Sequence, residues 1–403
     1  MKQLKIASLL GRGIEGAGVT RFADELDYYI NNKTDHSIDT YALIDKKWGR
    51  ASMQEHNFKE IDVKRTDLKD FTTKLNTYDI VIYNSIPAKK GFSEQYQQDF
   101  VNYIVRGVTT FKVGVQHDHK IHSLIRNYEL WDTMKEMDVY VTHHKNSKFI
   151  QKMKEKIDPN IDDRTIEFSV PISFDRLERY RKSFSDKKRR VTYLGRYATF
   201  KDPGRLYPFH PYIRKFDFIT ELVGIERSIG ALDKMFKFPG NVKDRHGVEM
   251  IDCTRKDVNV TPEQQTTELP YVYGPYVRSE GLENVSKSLF GVDFFNIIYE
   301  NYKNLEYAHL EIIGASTIPL FDYGWGSNTQ IQDGTKLTDI DNYGLFLKSD
   351  LSNAEEVASK MNEIANNPEL AQLYIDTSYE VTKNSFDSKV TIDKLLTNIM
   401  NRL

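Results

Sequence analysis

Cysteine is almost missing from this sequence, which contains only Cys253 in 403 residues. A lone cysteine cannot form an internal disulfide, and it excludes a zinc site built from several thiolates. The fold must therefore be stabilised by the packing of side chains. The cysteine usage also favours a reducing compartment such as the cytosol.

Long apolar segments are missing as well. No stretch of the sequence approaches the ~20 apolar residues that a membrane-spanning helix needs. The opening residues, MKQLKIASLLGRG, contain an apolar run of only about six residues, which is shorter than the core of a secretory signal. The sequence therefore predicts neither a membrane span nor secretion.

A surplus of charge of one sign is the third feature that the sequence lacks. The 56 Lys and Arg residues nearly balance the 58 Asp and Glu residues, giving a net charge of -2. A uniformly basic nucleic-acid coat protein is thereby excluded, and any contact with phosphates must use a local patch. The segment from Arg176 to Lys201 offers such a patch, with ten basic and two acidic residues. It is equally consistent with a solvated linker.

Apolar and aromatic residues are plentiful, at 39% and 12% of the chain, so the sequence can form packed cores. Short runs of β-strand character alternate with stretches of helical period through the first 170 residues. These runs are KIASLL, IDTYALI, YDIVIYNS, TTFKVGVQ and MDVYVTHH. The alternation begins again near residue 190 with RVTYLGR. This pattern predicts an α/β protein with two doubly wound parallel sheets.

The predicted domains are an N-terminal one over residues 1–172 and a C-terminal one over 186–385, followed by a closing helix over 386–403. Residues 238–280 do not fit the alternation because they contain four prolines and a polar run. We expect this segment to be a long excursion over the surface or the cleft.

The segment GRGIEGAG, residues 11–18, lies between the first predicted strand and the first predicted helix. Four glycines allow a tight turn, and the following helix presents free N–H groups to a phosphate. Gly11, Gly13 and Gly16 match a dinucleotide-binding pattern that a nicotinamide-dependent oxidoreductase would use, with Asp45 as the acidic partner. A glycine-rich turn without a ligand is the alternative.

A second polar cluster, Gln116-His117-Asp118-His119, follows the predicted strand TTFKVGV. The carboxyl ends of strands in an open parallel sheet face the ligand crevice, so this cluster is a candidate for chemistry. Asp118 is suited to act as a base and His117 as a hydrogen-bond donor. A metal site that adds His122, or a purely structural turn, would also explain the cluster.

The second half of the sequence contains a further pair of candidate sites. Arg196 and Lys201 follow the strand RVTYLG, where a guanidinium and an ammonium group can bind a diphosphate. Glu306 and Glu311 lie in LEYAHLE, and one carboxylate there is suited to accept both hydroxyls of a ribose. Each pair is also compatible with an exposed helix face.

These segments together resemble a known family, the T-even bacteriophage DNA α-glucosyltransferases. The resemblance runs in order from about residue 5 to 325 and is least specific over 238–280. The matching segments are GRGIEGAGVTRF, YNSIPA, VQHDHKIHSLIRN, GRYATFK, GIERS, SKSLFG and LEYAHLEIIGASTIP.

The resemblance implies a GT-B fold, in which two Rossmann-like domains face each other across a cleft. It implies that the N-terminal domain binds duplex DNA, with its 5-hydroxymethylcytosine flipped out, and that the C-terminal domain binds a UDP-sugar. The sugar would be transferred with retention of configuration and without an obligatory metal. A monomer acting in the cytoplasm of an infected bacterium, where it protects phage DNA from host nucleases, is the corresponding biological expectation.

The resemblance also implies roles for individual residues. His117 and Asp118 would form the catalytic pair on the acceptor side. The implied donor-binding residues are Gly16, Ala17, Gly18, Arg196, Lys201, Glu306, His309 and Glu311. Arg196 and Lys201 would bind the diphosphate, and Glu311 would bind the ribose.

The charge pattern adds candidate contacts to DNA phosphates. The predicted DNA-binding residues are Lys120, Arg126, Lys187, Lys188, Arg189 and Arg190. The first two lie near the catalytic cluster, and the other four belong to the basic run.

The sequence departs from the family in ways that leave the donor sugar open. Leu289 and Ser316 stand where we expect glycine near the donor sugar, and a bulkier leucine would fill the space of a hexose hydroxymethyl group. UDP-arabinose, a pentose donor used by relatives in other phages, is therefore an alternative to UDP-glucose. The residue eight positions before Glu311 is Lys303, not the glutamate typical of retaining GT-B enzymes.

Two other classes of protein remain in view. An oxidoreductase would not need the second anion site at Arg196 and Lys201. A non-catalytic nucleotide- or DNA-binding protein would bind a UDP-sugar without releasing UDP.

Overall fold

The structure is a computed structural model of the chain, and it describes residues 3–10, 18–44, 58–62, 66–85, 94–116, 135–143, 148–156, 158–195, 206–224, 242–243, 249–252, 271–273, 278–294 and 306–403. The chain forms two compact units. The first consists of Met1–Ser173 and Ser388–Leu403, and the second of Phe174–Asp387. The segment 174–185, left between the predicted domains, belongs to the second unit. The closing helix belongs to the first.

The first unit is built on a parallel sheet. Its described strands are β1 (Lys5–Leu10), β2 (Ser37–Ile44), β3 (Lys59–Asp62), β4 (Ile80–Ser85), β5 (Phe111–Gln116), β6 (Val139–Thr142) and β7 (Thr165–Glu167). They are arranged in the order β3-β2-β1-β4-β5-β6-β7. All the pairings are parallel, and Gln116 at the end of β5 lies opposite Thr142 at the end of β6.

Helices cover this sheet because its strands are apolar on both faces. They are α1 (Gly18–Lys33), α2 (Leu68–Leu75), α3 (Glu94–Asp99, continued by a π-helical stretch, Phe100–Arg106), α4 (Lys148–Lys156), α5 (Ile161–Arg164) and the last helix of the chain, α13 (Ser388–Met400). Leu9 of β1 packs into the larger of two clusters, with Tyr83 and Ile104. The next residue, Leu10, packs with Ala23 of α1. The alternation of a strand thus places successive side chains in different cores.

The chain passes between the two units twice, after Ser173 and after Asp387. In the first unit, the buried carboxylate of Glu25 on α1 binds the residue of this unit at each of the two crossings. Its Oε2 accepts hydrogen bonds from Ser173 N at 2.8 Å, from Ser173 Oγ at 2.5 Å and from Ser388 Oγ at 3.2 Å. In the second unit, Asp387 Oδ2 accepts a hydrogen bond from Phe174 N at 3.2 Å.

The second unit is built on a larger sheet. Its described strands are β8 (Lys188–Gly195), β9 (Ile219–Gly224), β10 (Val242–Lys243), β11 (Glu249–Asp252), β12 (Tyr271–Tyr273), β13 (Ser288–Val292), β14 (Ile318–Asp322) and β15 (Leu345–Leu347). Their order is β10-β11-β12-β9-β8-β13-β14-β15. Only the edge pair β10–β11 is antiparallel among these described strands.

The interval 238–280 therefore differs from its prediction. The sequence predicts an excursion there, whereas β10, β11 and β12 extend the sheet beyond β9. The rest of that interval lies outside the described residues.

The described helices of the second unit are α6 (Phe174–Leu177), α7 (Leu206–Arg214), α8 (Arg278–Ser286), α9 (Tyr307–Gly314), α10 (Tyr323–Gly326), α11 (Ala354–Asn366) and α12 (Pro368–Phe386). Local signals explain the start of α12, because Asn367 Oδ1 accepts a hydrogen bond from Leu370 N at 3.1 Å and proline occupies the first turn. Helices of the described part of the chain lack the combination of length and apolar character needed to cross a membrane.

Both sheets share the strand order of dinucleotide-binding folds. In the first unit this order is β3-β2-β1-β4-β5-β6, and in the second it is β12-β9-β8-β13-β14-β15. The order reverses between β1 and β4 and between β8 and β13. Ligands bind such sheets outside the carboxyl ends of the strands at this reversal, which identifies the region of interest in each unit.

Candidate functional site

Many of the predicted site residues lie outside the described residues, in the segments of the sequence that follow β1, β5 and β8. These are Gly16, Ala17, His117, Asp118, Lys120, Arg126, Arg196 and Lys201. Gly18, the last member of the glycine-rich segment, is the exposed first residue of α1. The described strands nevertheless fix where the chain enters these segments, because β1, β5 and β8 all end at carboxyl edges of the sheets.

The reversal point of the first sheet contains a buried polar pair. Asn84 of β4 donates a hydrogen bond from Nδ2 to Ser8 Oγ of β1, at 2.5 Å, and both side chains are fully buried. This bond ties together the two strands between which the order reverses. It fixes the strand end that leads into the glycine-rich segment.

His143 is a residue at this edge that the sequence analysis does not single out. It follows β6 directly, as His117 follows β5, and the paired ends of these strands are Thr142 and Gln116. Its Nδ1 lies 2.9 Å from the carbonyl oxygen of Phe168, and its ring stacks on the Phe168 ring with centroids 5.6 Å apart. The available signal was the same as for His117, a histidine after an apolar run.

The reversal point of the second sheet brings Gly195 and Asp293 together. Gly195 ends β8 with a φ of 158°, a conformation that glycine adopts most readily. A Cβ atom added there would lie 3.2 Å from the hydroxyl of Tyr193 and 3.6 Å from Asp293 Oδ1. Asp293 directly follows β13 and is buried. The chain therefore turns closely past an acidic residue just before Arg196.

His309 lies at the same place. It belongs to the first turn of α9, and its Nε2 is 3.0 Å from the backbone carbonyl oxygen of Asp293. The indole of Trp325 stacks on its imidazole, with centroids 4.3 Å apart and an interplanar angle of 14°. The sequence analysis named His309 but missed Asp293 and Trp325, whose only signal is that each closely follows a strand.

Glu306 and Glu311 lie around the beginning of α9. Glu306 is the extended residue that precedes the helix, and its carbonyl oxygen accepts a hydrogen bond from Leu310 N at 3.1 Å. Glu311 is helical and only 3% exposed. The helix therefore includes Glu311 but not Glu306. Their contacts with a ribose stay a prediction.

The basic run 187–190 lies at the opposite end of the strands of the second sheet, where β8 begins. β8 begins at Lys188 and ends at Gly195, and about 3.3 Å per residue puts these ends roughly 23 Å apart. Arg190 is buried, with Nη1 3.0 Å from Glu221 Oε1. Burial raises the pKa of Glu221, and Arg190 opposes that rise.

The neighbouring cations are also engaged within the second unit. Arg189 Nη1 donates to the carbonyl oxygen of Phe216 at 2.9 Å and to Asn362 Oδ1 at 3.0 Å. Lys187 Nζ donates to the carbonyl oxygen of Ser286 at 2.9 Å. The predicted DNA contacts of Lys187, Arg189 and Arg190 are therefore not supported, because these side chains already hold the fold together. Lys188 is exposed.

Leu289 and Ser316 lie at this amino edge too. Leu289 is the second residue of β13 and is buried in the hydrophobic core. Ser316 precedes β14, and its Oγ lies 3.2 Å from Arg181 Nε. The prediction that both residues border the donor sugar is not supported, because Arg196 and Asp293 mark the other end of the strands. The sequence argument for a pentose donor thereby loses its structural basis.

Metal ligands were an alternative explanation for the polar clusters. Within the described ranges, no three His, Cys, Asp or Glu side chains converge to hold a metal ion. The cluster of His117, Asp118, His119 and His122 falls outside those ranges.

Comparison with known proteins identifies the family. A family model described as DNA alpha-glucosyltransferase matches residues 17–367, which is most of the chain. The chain belongs to the DNA alpha-glucosyltransferase family. This confirms the predicted family, the GT-B fold and the prediction of a UDP-sugar-dependent transferase.

Individual relatives match over nearly the whole length. The DNA alpha-glucosyltransferase of Enterobacteria phage T4 is 28% identical over 406 residues, covering 96% of this chain and 97% of the relative. An alpha-glucosyltransferase solved with UDP-glucose and DNA containing an abasic site has a TM-score of 0.84 at 25% identity, covering 99% of this chain and 100% of that one. Another, solved with UDP and a 13-mer DNA containing a HMU base, has a TM-score of 0.83 at 26% identity and the same coverage.

Proposed function

We propose that the protein transfers glucose from UDP-glucose to 5-hydroxymethylcytosine in duplex DNA, with retention of the anomeric configuration. The observation that carries this proposal is the whole-length similarity to an alpha-glucosyltransferase solved with both UDP-glucose and DNA. We further propose that the target base is flipped out, since a base inside a duplex is beyond the reach of a sugar donor. The phage origin of the T4 relative favours action in the cytoplasm of an infected bacterium, with the protein as a monomer that protects phage DNA.

The second unit supplies the donor site in this proposal. Arg196 and Lys201 follow β8 at the reversal point and neutralise the diphosphate, with Arg as a bidentate donor and Lys as a point charge. Glu306, His309 and Glu311 of the α9 region bind the sugar and ribose. The segment Gly16–Gly18 contributes backbone N–H groups to the phosphates.

The first unit supplies the acceptor site. The oxygen of the hydroxymethyl group forms a bond to the anomeric carbon of the sugar, and Asp118 accepts the proton that this oxygen loses. The bond between the anomeric carbon and the β-phosphate oxygen breaks, and UDP leaves. His117 donates a hydrogen bond in the same cluster. Lys120 and Arg126, which follow the cluster in the sequence, are the proposed contacts to DNA phosphates.

Glucose is the favoured donor over arabinose. The pentose alternative depended on a bulky Leu289 beside the sugar, and Leu289 is a core residue at the amino edge of β13. The T4 relative carries the name of a glucosyltransferase.

Mass spectrometry of nucleosides tests the proposal. Duplex DNA containing 5-hydroxymethylcytosine is incubated with the protein in three separate reactions. Each reaction contains one donor: UDP-glucose, UDP-arabinose or UDP-galactose. We expect a hexosyl adduct of the modified nucleoside from UDP-glucose, and none with unmodified DNA. A pentosyl adduct alone would overturn the choice of sugar. No adduct from any donor, together with retained UDP binding, would favour a non-catalytic binding protein.

The variant Asp118→Asn tests the assignment of the base. We expect it to lower the transfer rate by ~10²–10⁴, the usual contribution of a general acid or base, while UDP-glucose affinity stays within a few-fold. Unchanged turnover in Asp118→Asn would remove this residue from the chemistry.

A further inference from the structure

The hydrogen bond of His309 defines which ring nitrogen carries a proton. Its partner is the backbone carbonyl oxygen of Asp293, 3.0 Å from Nε2, and a carbonyl oxygen can only accept. Nε2 must therefore donate. In the neutral imidazole the other nitrogen, Nδ1, then carries a lone pair and acts as an acceptor.

The plane of the imidazole is fixed by aromatic rings. Trp325 stacks on one face at 4.3 Å, and the ring of Phe321 lies 5.2 Å away. Trp325 is itself held, because its backbone N–H donates to Asp322 Oδ1 at 3.0 Å at the start of α10. Both His309 and Trp325 are buried, with 1% and 5% exposure.

The residue after Trp325 permits this arrangement. A Cβ atom added to Gly326 would lie 2.5 Å from Cε1 of Phe346, which is far inside ordinary contact distance. A larger residue would push the turn and its indole away from Phe346. The aromatic stack therefore depends on glycine at this position.

The aromatic stack lies beside the expected ligand-binding position of the second sheet. Asp293 follows β13 beside Gly195, at the reversal point where a sheet of this order binds its ligand. An imidazole nitrogen that accepts a hydrogen bond is suited to a hydroxyl group and unsuited to an ionised phosphate, which has no proton to donate.

We propose that Trp325 and Asp293 are positioning residues that hold His309 in its Nε2–H form, so that Nδ1 accepts a hydrogen bond from a hydroxyl of the nucleotide sugar. The inference rests on the proposed function, because it names the ligand group that His309 recognises in the donor. The hydroxyl belongs either to the ribose or to the transferred sugar, and ligand variants separate these two sources.

The first experiment reads the ring directly by ¹⁵N NMR of the histidine side chains in the full-length protein. We expect the Nε2–H form of His309 in the wild type and in Trp325→Phe, which keeps an aromatic face. In Trp325→Leu we expect a mixture of the two neutral forms. Phe346→Leu is the matched control, because it removes a ring from the same stack that touches Phe321 but has no ring contact with His309. A wild-type His309 in the Nδ1–H or cationic form would overturn the proposal.

The second experiment measures dissociation constants for 2′,3′-dideoxy-UDP, which lacks both ribose hydroxyls, UDP and UDP-glucose. For a ribose contact, we expect Trp325→Leu to weaken UDP by about 3- to 10-fold, the value of one neutral hydrogen bond, and to leave 2′,3′-dideoxy-UDP unchanged. For a contact with the transferred sugar, only UDP-glucose should weaken. Trp325→Phe and Phe346→Leu should match the wild type for all three ligands.

Equal weakening of all three ligands in Trp325→Leu would indicate a phosphate contact or a general loss of structure, and it would overturn the inference. A wild-type protein that binds neither UDP nor UDP-glucose would instead overturn the proposed function and with it the ligand assignment. The NMR measurement would still decide whether Trp325 positions the ring. The two failures are therefore distinguishable.

Discussion

Ser316 has a backbone φ of 59°, in the left-handed region that glycine adopts at least cost. It follows the C-terminal end of α9, where Ser316 N donates to the carbonyl oxygen of Ile313 at 2.9 Å and Thr317 N to that of Ile312 at 3.1 Å. These bonds are typical of a helix end that uses a left-handed residue. A glycine at this position in relatives would therefore serve the helix end and not the donor sugar.

Two substitutions at this position separate strain from hydrogen bonding. Ser316→Ala and Ser316→Gly both remove the contact of Oγ with Arg181, but only glycine relieves the left-handed backbone. We expect the glycine variant to exceed the alanine variant in free energy of unfolding by about 1 kcal/mol, measured by urea denaturation. UDP-glucose affinity should be unchanged in both. A loss of affinity in either would return Ser316 to the donor site.

Lys187 provides a test of pH dependence. Burial lowers the pKa of its ammonium group from 10.5 to about 7. Between these values the unfolded chain binds the proton and the folded chain does not, so this group makes stability rise with pH. Below pH 7 both states are protonated and the contribution is constant.

The variant Lys187→Met removes this dependence. Its free energy of unfolding relative to the wild type should fall from about pH 7 to about pH 9, by at most about 1.4 kcal/mol per pH unit and by less where water screens the ammonium. Urea denaturation at several pH values in this window measures the difference. Lys188→Met, at the exposed neighbouring position, is the control. Parallel pH curves for wild type and Lys187→Met would contradict the expected low pKa.

At the scale of the element, β8 separates two kinds of basic residue. Its amino end carries the cations that bind Glu221, Asn362 and the carbonyl oxygen of Ser286. Its carboxyl end leads to Arg196. A run of basic letters cannot reveal this division, because the direction of each side chain and the buried carboxylate on β9 are features of the assembled sheet.

The salt dependence of DNA binding tests this division. Each phosphate contact adds about 0.9 to the slope of log K against log salt. We expect Lys120→Gln with Arg126→Gln to flatten the slope by about 1.8. The contact of the exposed Lys188 with DNA also stays a prediction, and Lys188→Gln tests it separately. Filter binding across a range of salt concentrations measures both. A flatter slope in Lys188→Gln would place DNA along the amino edge of the second sheet.

Strands were more predictable than the helices that border the site. KIASLL corresponds to β1, and five of its six side chains are buried. At α9, in contrast, Glu306 is extended and Glu311 is helical, and a periodic pattern does not reveal the residue at which the first helical turn begins. Residues 238–280 contain strands too short to give a recognisable alternation.

His309, which lies in α9, was predicted only through the resemblance to a family. Trp325 and Asp293 were not predicted, because their importance comes from a ring stack and a backbone carbonyl that only tertiary structure creates. His143 carried a usable signal that was not used.

At the scale of the whole molecule, the two units differ in continuity. The second is one uninterrupted segment, Phe174–Asp387, whereas the first needs Ser388–Leu403 to be complete. Tyr29 of α1 donates from its hydroxyl to Asp393 of α13 at 2.9 Å, and the apolar face of α13 is buried. The first unit therefore depends on residues remote in sequence.

Separate expression of the two segments tests this difference. Residues 174–387 should unfold cooperatively in urea and bind UDP, because all the donor residues except Gly16–Gly18 lie within them. Residues 1–173 alone should be less stable than a fusion of 1–173 with 388–403 by several kcal/mol, since α13 buries whole apolar side chains such as Ile392 and Ile399. Equal stability of residues 1–173 with and without residues 388–403 would show that α13 is dispensable.

The partners of Glu25 are synthesised at different times, because Ser173 and Ser388 lie on either side of the second unit in the sequence. At about 5–20 residues per second, a ribosome needs roughly 10–40 seconds to synthesise the stretch between Ser173 and Ser388. Throughout that interval the nascent Glu25 has only one of its two serine partners, although its own helix was made at the outset. The unit that is translated second is thus the first to have all its residues. The first becomes complete only after Ser388–Leu403 has been synthesised.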